Sequence, residues 1–412
     1  MNFVGTLGFS IVVPFLVFLV TQWGGNALVY GLIGATYSAF QLIGAPILGR
    51  WSDRFGRRKI LLLSQLGTLV SWLIFLIAFF VPVRIVGDID STALGRFTLT
   101  LPLILLFLAR AADGITGGNV SVANAYLADI TDEEDRSRNF GRMALSGNLG
   151  FVLGPALAGL LGATIYGEIV PVVAALVISI LATLIIIFGL KEFDPCILTR
   201  APSSRSMRKV FGQEHKECYS IRDPEKVGFR TILKISHVPR LLGVYFLVML
   251  GFSFFYIGFP VHAVNELRWT ITDTGMFFAY LSLVMVLVQG PVLARASKRL
   301  SDGALAFGGT LILTIGLMGL FWSSIAVIYL AATLIALGNG LMWPSVMAML
   351  SNAAGDTHQG AVQGASGSVG AIASIVGLIA GGLVYGWLGA WVFVLAALVI
   401  LPVSIVTPRA RL

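Results

Sequence analysis

Long apolar runs separated by short polar segments dominate the sequence. A transmembrane helix needs about 20 consecutive apolar residues, whereas a membrane-spanning β-strand alternates apolar and polar residues over about ten. Twelve runs of the longer kind can be delimited, at about 3–20, 28–48, 60–83, 101–127, 141–163, 169–190, 241–263, 273–294, 304–322, 325–350, 361–384 and 387–407. The pattern therefore predicts an all-α membrane protein with twelve transmembrane helices.

One polar segment is much longer than the others and divides the chain. Residues 191–240 contain Asp194-Pro195 and mixed charges in place of an apolar run. We interpret this segment as a cytoplasmic linker between an N-terminal six-helix bundle, residues 1–190, and a C-terminal six-helix bundle, residues 241–412. Internal repeats of this kind are common in transporters. Two short echoes favour a duplication with pseudo-symmetric halves: Gly49–Lys59 with Gly290–Arg299, and Ser146–Gly150 with Ser366–Gly370.

The composition is typical of a membrane protein, and the distribution of Lys and Arg predicts its orientation in the membrane. Hydrophobic residues make up 57% of the chain and charged residues 12%, about half of what an ordinary soluble domain carries. With the amino terminus inside, 24 of the 28 Lys and Arg residues fall in inner segments and three in outer loops. The positive-inside rule then predicts that both termini are cytoplasmic. We expect a multi-pass protein of the cell inner (plasma) membrane, with anionic lipids and not nucleic acid as the partner of its net charge of +8.

A cluster of charges and glycines, the hinge segment Gly49–Lys59, lies between the second and third runs. Its cations suit the anionic inner membrane surface, but that role requires neither the single acid nor the glycines. A lone acid among cations can gain partners in one conformation and lose them in another. The alternative is a passive cluster that only sets topology. The predicted gating residues of this segment are Gly49, Asp53, Arg54, Gly56, Arg57 and Arg58.

The fourth run carries Arg110 and Asp113, the charged residues in the interior of the runs. Each costs about 2.5–3.5 kcal/mol to insert near the bilayer midplane, and such residues usually mark a functional site. We predict that Asp113 loads and releases a proton, that Arg110 is its partner, and that both face a shared water-accessible cavity. A fixed ion pair that only tightens the bundle is the alternative. Small and polar residues at helical spacing continue the same face: Gly117, Ser121 and Asn124.

Two further stripes are candidate functional surfaces. Small residues at four-residue spacing in the fifth run (Gly150, Gly154, Ala158 and Gly162), with Pro155, allow close helix packing, which needs no further function. In the second half, aromatic and methionine side chains share helix faces, a pattern that is also common in cores and lipid contacts. If they face the cavity, they suit an apolar, aromatic or cationic molecule. The predicted cavity residues are Tyr245, Phe252, Tyr256, Asn339 and Trp343, with Phe259, Met342 and Met347 on the same stripes.

These segments together resemble the major facilitator superfamily. The hinge segment resembles its motif A, Arg110–Gly118 its motif B, and Gly150–Gly159 its motif C, the antiporter signature. Residues 125–141 are similar to the tetracycline-resistance branch of its twelve-helix drug:proton antiporters, and the likeness is strongest over residues 45–162. The resemblance implies two rocking six-helix bundles, a monomer, a seal formed by Gly150, Gly154, Pro155 and Gly159, and antibiotic resistance by drug efflux.

One departure from the family pattern concerns proton coupling. Members near the tetracycline branch carry an acid about nine residues before the proline that corresponds to Pro14, and here that position is Gly5. Asp113 is the candidate replacement, and the other possibility is weakened or absent coupling. At the inner end of the fourth run, we predict that Asp129 and Arg136 exchange partners with Arg57 or Arg54 as an inner gate moves.

The favoured function is proton-coupled efflux of small apolar or amphipathic organic compounds by alternating access. The alternative is a metabolite permease, either a symporter or a uniporter. A sensor or scaffold without transport leaves the midplane charges unexplained. An enzyme is not expected, because the sequence has no phosphate loop or nucleophile and base set. The cysteines Cys196 and Cys218 with His215 are too scattered to indicate a metal site, and no cofactor is expected.

Overall fold

The structure, a computed structural model, describes most of the chain. The described residues are 2–117, 119–130, 133–190, 195–196, 208–210, 213–215, 219–220 and 229–406. Most of the linker, 191–240, lies outside them. The division of the chain into two six-helix bundles joined by this linker therefore stays a prediction.

Helices account for most of the described residues. They are α1 (Asn2–Gln22), α2 (Ala27–Phe55), α3 (Arg57–Ile77), α4 (Leu101–Thr116), α5 (Asn119–Ile130), α6 (Glu133–Gly162), α7 (Ile169–Gly189), α8 (Phe229–Ile232), α9 (Val238–Asn265), α10 (Ile271–Leu287), α11 (Leu293–Ala296), α12 (Asp302–Gly319), α13 (Ile325–Leu388), α14 (Trp391–Ile400) and α15 (Val403–Val406). A π-helical turn, Val288–Val292, joins α10 to α11.

Twelve membrane spans can be read from these helices. Within the described residues, ten helices are long and apolar enough to cross a membrane. Two of them lie in α13, whose 64 residues are interrupted at Gly355 (φ 61°). The predicted fourth span is divided between α4 and α5, and the twelfth is formed by α14 and α15. The predicted class, an all-α membrane protein with twelve transmembrane helices, is confirmed.

Short strands accompany the helices, and the largest pair forms a hairpin after α3. Strand β1 (Ile85–Ser91) pairs antiparallel with β2 (Gly95–Thr100), and Gly95 takes a positive φ of 73° at the turn. The remaining strands are β3 (Pro195–Cys196) with β6 (Tyr219–Ser220), and β4 (Arg208–Val210) with β5 (Gln213–His215). The sequence pattern predicts an outer loop at residues 84–100 and no strands. Strands this short contain no long apolar run, so a search for such runs does not detect them.

Helices from the two halves approach closely near the hairpin. A methyl group added at Gly275 of α10 would lie 2.5 Å from Gly159 Cα of α6. Likewise, one added at Gly382 of α13 would lie 2.5 Å from the carbonyl oxygen of Ala27, at the start of α2. Both distances are shorter than any ordinary carbon contact, so these crossings require glycine. We call this the hairpin end of the bundle.

The opposite end, which carries the hinge segment, is less tightly packed at the matching positions. Methyl groups added at Gly49 of α2 or at Gly364 and Gly367 of α13 would meet no described atom within 4 Å. The same two helices, α2 and α13, therefore touch at the hairpin end and leave these glycines open at the hinge end.

Candidate functional site

A cavity of about 680 Å³ lies between the two halves of the bundle. Helices α1, α2, α4, α9, α10 and α13 all contribute to its wall. Its volume falls in the range of about 300–1,000 Å³ that is typical of small-molecule sites. Four of the five predicted cavity residues in the second half line it: Phe252, Tyr256, Asn339 and Trp343.

The fifth residue, Tyr245, does not belong to this lining. Its ring packs behind Trp343, with the two ring centroids 5.2 Å apart. Tyr245 also lies against Gly370, where an added methyl group would come within 2.7 Å of the tyrosine ring. Tyr245 therefore supports a cavity residue instead of facing the cavity.

The cavity wall is mainly apolar and aromatic, with a few polar groups. Tyr256 stacks on Phe278 with an angle of 11° between the rings. Asn339 Nδ2 donates to Met285 Sδ at 3.4 Å. Sequence reasoning missed the contributions of Phe278 and Met285, and also those of Tyr30, Tyr37, Ser282 and Gln289. These residues lie in apolar runs of the sequence, and nothing in such a run distinguishes a residue that lines a cavity from one that packs between helices.

Arg110 lies in the wall of the same cavity and is 6% exposed. Its guanidinium carbon is 4.7 Å from the centroid of the Tyr37 ring, which is a cation–π distance. Arg110 Nη1 lies 3.5 Å from Asp113 Oδ2. Arg110 Nε is buried and has no hydrogen-bond partner. The guanidinium therefore holds one carboxylate and retains an unsatisfied donor.

Asp113 faces a different space. It lines a smaller cavity of about 150 Å³ within the first half of the chain, together with Gly5 and Gly117. The expectation that Arg110 and Asp113 share one hollow is therefore corrected. Tyr37 lines both cavities and forms part of the wall between them. The ion pair crosses this wall.

Polar side chains surround the carboxylate in the smaller cavity. Thr68 Oγ1 donates to Asp113 Oδ1 at 3.0 Å. Gln65 Nε2 donates to Ser179 Oγ at 2.8 Å, and both residues line the cavity. The rest of the lining is mainly apolar, and the volume of about 150 Å³ leaves room for several water molecules beside these polar groups.

The polar face predicted for the fourth run, from Arg110 to Asn124, does not continue along one helix. Helix α4 ends at Thr116, and the Gly117 carbonyl accepts a hydrogen bond from Gln41 Nε2 at 3.2 Å. Asn124 lies on α5 and is exposed. The side chain of Ser121 lies outside the described part of the chain. The break between α4 and α5 ends the continuous polar face expected for one helix.

In the hinge segment, the carboxylate of Asp53 has a specific partner. Asp53 Oδ1 forms an ion pair with Arg57 Nη1, which also donates to Ser52 Oγ at 2.7 Å. Ser52 Oγ donates in turn to the Gly49 carbonyl oxygen at 2.7 Å. The arrangement connects the end of α2 to the first turn of α3 across Gly56, whose φ is 100°.

Other cations of the segment contact neighbouring elements. Arg58 Nη2 donates to the Ile187 carbonyl oxygen at 2.6 Å, near the end of α7. The Arg54 guanidinium carbon lies 5.4 Å from the centroid of the Phe55 ring. The side chains of Asp129 and Arg136 lie outside what the structure describes, so their exchange of partners with the hinge stays a prediction.

The small residues of the fifth run place α6 against helices of both halves. Ser10 Oγ of α1 donates to the Gly150 carbonyl oxygen at 2.9 Å, and a methyl group at Gly154 would meet Ser10 and Ile11. Thr272 Oγ1 of α10 donates to the Gly159 carbonyl oxygen at 3.1 Å. Pro155, between these contacts, lies inside α6. Helix α6 therefore packs on α1 with one part of this stripe and on α10 with the next.

The chain is similar in sequence to known resistance proteins. The chain is 29% identical over 349 residues to the tetracycline resistance protein, class C, of Escherichia coli, covering 84% of this chain and 78% of that protein. It is 25% identical over 389 residues to multidrug resistance protein 2 of Bacillus subtilis (strain 168), covering 93% and 86%.

Solved structures show the same fold. The human organic anion transporter MFSD10 (TETRAN) matches with a TM-score of 0.66 and 22% identity, covering 98% of this chain and 96% of that one. An inward-facing, unoccupied bacterial homologue of the lysosomal transporter Spinster matches with a TM-score of 0.72 and 13% identity, covering 99% and 94%. The family described as Major Facilitator Superfamily matches residues 1–287 and 241–411. This chain belongs to the major facilitator superfamily.

Proposed function

We propose that the chain is a secondary active transporter that exports small amphipathic aromatic compounds in exchange for protons. The observation that carries this proposal is the Arg110–Asp113 ion pair in the wall of the central cavity, with one partner facing each of two cavities. Buried charges are costly in a membrane, and an arrangement in which one charge faces each cavity can couple two ligands. The relatives' names, tetracycline and multidrug resistance proteins, support export of such compounds.

The central cavity indicates the substrate's chemistry. Aromatic and methionine side chains suit stacking with a planar apolar body. Arg110 lines this cavity, so a substrate that presents an oxygen acceptor to the guanidinium gains affinity. Arg110 places a positive charge in the wall, which disfavours a cationic substrate. The proposed substrate is therefore an aromatic amphipath with a carbonyl or hydroxyl oxygen.

The ion pair explains how a proton competes with this substrate. When Asp113 is ionised, it holds Arg110 in the orientation that lines the cavity. A proton on Asp113 weakens that hold, because a neutral carboxyl group attracts the guanidinium much less. The guanidinium can then leave its position, and the substrate loses its donor. Substrate and proton thus favour opposite charge states of Asp113, which is the requirement for antiport.

The smaller cavity provides a place for the proton outside the substrate cavity. Gly5, which occupies the family's usual position for an acid, lines the same space as Asp113. We infer that the carboxylate has moved from the first helix to the fourth while remaining in one cavity. Thr68, Gln65 and Ser179 supply hydrogen bonds there, and water in this space would connect them.

The packing of the two halves supports an inward-open state. The hinge end bears the cations that place it in the cytoplasm by the positive-inside rule. Helices α2 and α13 touch at the hairpin end, whereas Gly49, Gly364 and Gly367 of the same helices adjoin open space at the hinge end. Substrate therefore enters the cavity from the cytoplasm, and rocking of the two six-helix bundles exposes it on the other side. We also propose a monomer in the inner membrane, with both termini cytoplasmic and anionic lipid on the hinge cations.

Export is favoured over the permease alternative because the relatives are resistance proteins. The test uses inverted membrane vesicles, in which export appears as uptake, with tetracycline as the probe. The wild type should concentrate tetracycline when a proton gradient is applied. Asp113→Asn should lose uphill accumulation but retain exchange of tetracycline without a gradient. Asp88→Asn, on the exposed hairpin, is the matched control. If Asp113→Asn still concentrates tetracycline, the proposed coupling is wrong.

A further inference from the structure

A third cavity of about 370 Å³ lies beneath the hairpin, at the end of the bundle opposite the hinge. We call it the hairpin pocket. Both halves of the chain line it, because α1 and α2 form one side and α9 and α13 the other. Its polar and amphipathic residues are Thr21, Asn26, Tyr30, Arg96, Asn265, Tyr385 and Trp387. Its amide, hydroxyl and indole groups make it more polar than the central cavity.

Tyr30 separates the hairpin pocket from the central cavity. This residue is 5% exposed and lines both spaces. A compound that leaves the central cavity toward the hairpin end must therefore pass Tyr30 and then the hairpin pocket. The polar groups of the pocket suit the oxygen atoms of an amphipathic aromatic compound, and its aromatic side chains suit the ring.

The roof of the hairpin pocket is attached firmly to the first half. Thr98 N donates to the Gly24 carbonyl oxygen at 2.9 Å, and Thr100 Oγ1 donates to the Trp23 carbonyl oxygen at 2.8 Å. The turn of the hairpin reaches the second half through Trp387, whose Nε1 donates to the Ala93 carbonyl oxygen at 2.8 Å. This hydrogen bond crosses between the halves, so the pocket is complete only while they are together at this end.

We infer that the hairpin pocket is a second binding site for the exported compound, which it takes from the outer side in the inward-open state. The inference rests on the proposed function. A ligand that binds one conformation better than another shifts the equilibrium toward the first. Occupancy of a pocket built by both halves therefore stabilises the inward-open state and opposes outward opening. Accumulated product outside the cell slows its own export.

A binding experiment separates this site from the central cavity. The full chain in lipid nanodiscs is titrated with tetracycline, whose fluorescence reports binding. The wild type should show two classes of site. Gly386 lines the hairpin pocket, and a methyl group there would meet no atom within 4 Å, so Gly386→Leu should fill the pocket and remove one class. Gly308→Leu is the control, because Gly308 is an equally open helical glycine outside the described cavities.

A transport experiment tests the feedback with the same variants. In inverted vesicles the lumen is the outer side, and luminal tetracycline should slow proton-driven uptake by the wild type. In Gly386→Leu the half-inhibiting luminal concentration should rise at least about fivefold, the effect of losing a coupling of about 1 kcal/mol. Trp387→Phe, which keeps an aromatic ring but loses the N–H group, should change in the same direction.

The outcomes distinguish the two proposals. Arg110→Ala should remove the other class of site and leave the hairpin pocket occupied. If Gly386→Leu and Trp387→Phe leave both the binding isotherm and luminal inhibition unchanged, the second site is refuted and the central site stands. If Arg110→Ala leaves all binding intact while Gly386→Leu removes a class, the hairpin pocket stands and the proposed central site is wrong.

Discussion

Gly275→Ala should shift the transporter out of the inward-open state. The added methyl carbon would lie 2.5 Å from Gly159 Cα and 2.8 Å from the Pro155 carbonyl oxygen. Both neighbours are backbone atoms, which cannot rotate away as a side chain can. Carbon atoms pack at about 3.5–4.0 Å, so α6 and α10 must separate by roughly 1 Å.

The expected size of the effect follows from overpacking. Forcing one extra carbon into a close-packed contact costs about 1–3 kcal/mol. If the contact exists only while the halves meet at the hairpin end, this penalty falls on the inward-open state alone. A difference of that size changes the ratio of inward-open to outward-open molecules by about 5–150-fold.

Distance measurements between spin labels can detect this shift. We suggest nitroxide labels at Ile165, which is 93% exposed, and at the exposed Glu266, with Cys196 and Cys218 replaced by serine. These positions follow α6 and α9, at the hairpin end of each half. Gly275→Ala should increase the population with the longer distance.

The matched control is Gly290→Ala, in the same membrane span, where a methyl group would meet no described atom within 4 Å. Both substitutions replace a glycine by alanine within the same membrane span, so both remove the flexibility of one glycine. An unchanged distance distribution in Gly275→Ala would refute the reasoning. An equal shift in Gly290→Ala would do so as well, because the effect could not then come from the α6–α10 contact.

Three further predictions concern the candidate site. Thr68→Val removes the hydrogen bond to Asp113 and should lower proton-driven uptake in inverted vesicles about tenfold. Thr68→Ser keeps the hydroxyl group and should stay near the wild-type rate. Equal rates in both variants would contradict a role for this hydrogen bond. Trp343→Ala should weaken tetracycline binding in nanodiscs about 30-fold, because it removes a central aromatic contact of the cavity wall. Trp322→Ala is the control and should leave binding unchanged, since Trp322 is 58% exposed and lies outside the described cavities. Asp53→Asn should slow uptake without changing tetracycline affinity, because its ion pair with Arg57 joins α2 to α3 and neither residue lines a described cavity. Weakened binding at an unchanged rate would count against gating.

Several features of the site were predictable because they depend on local sequence. The charges at Arg110 and Asp113 stand out from an apolar run whatever surrounds them. Helical periodicity places Phe252 and Tyr256 on one stripe, and both line the central cavity. The small residues of α6 indicate close packing before any partner helix is known. None of these patterns identifies the helix that a given face meets.

Tertiary packing decided the features that periodicity cannot reach. Residues three positions apart on a helix, such as Arg110 and Asp113, differ by about 60° in direction, so a helix at a wall can present them to different spaces. Tyr37, from another helix, lies between those spaces. In the same way, Tyr245 lies behind Trp343 although its stripe predicts a cavity position.

The sequence by itself therefore determined the number and order of the membrane spans, because each follows from about 20 residues of local hydrophobicity. The two separate cavities, the close approach of α6 to α10, and the hairpin that reaches Trp387 arise only when distant segments meet. Their geometry depends on contacts between residues far apart in the chain, which no local pattern records.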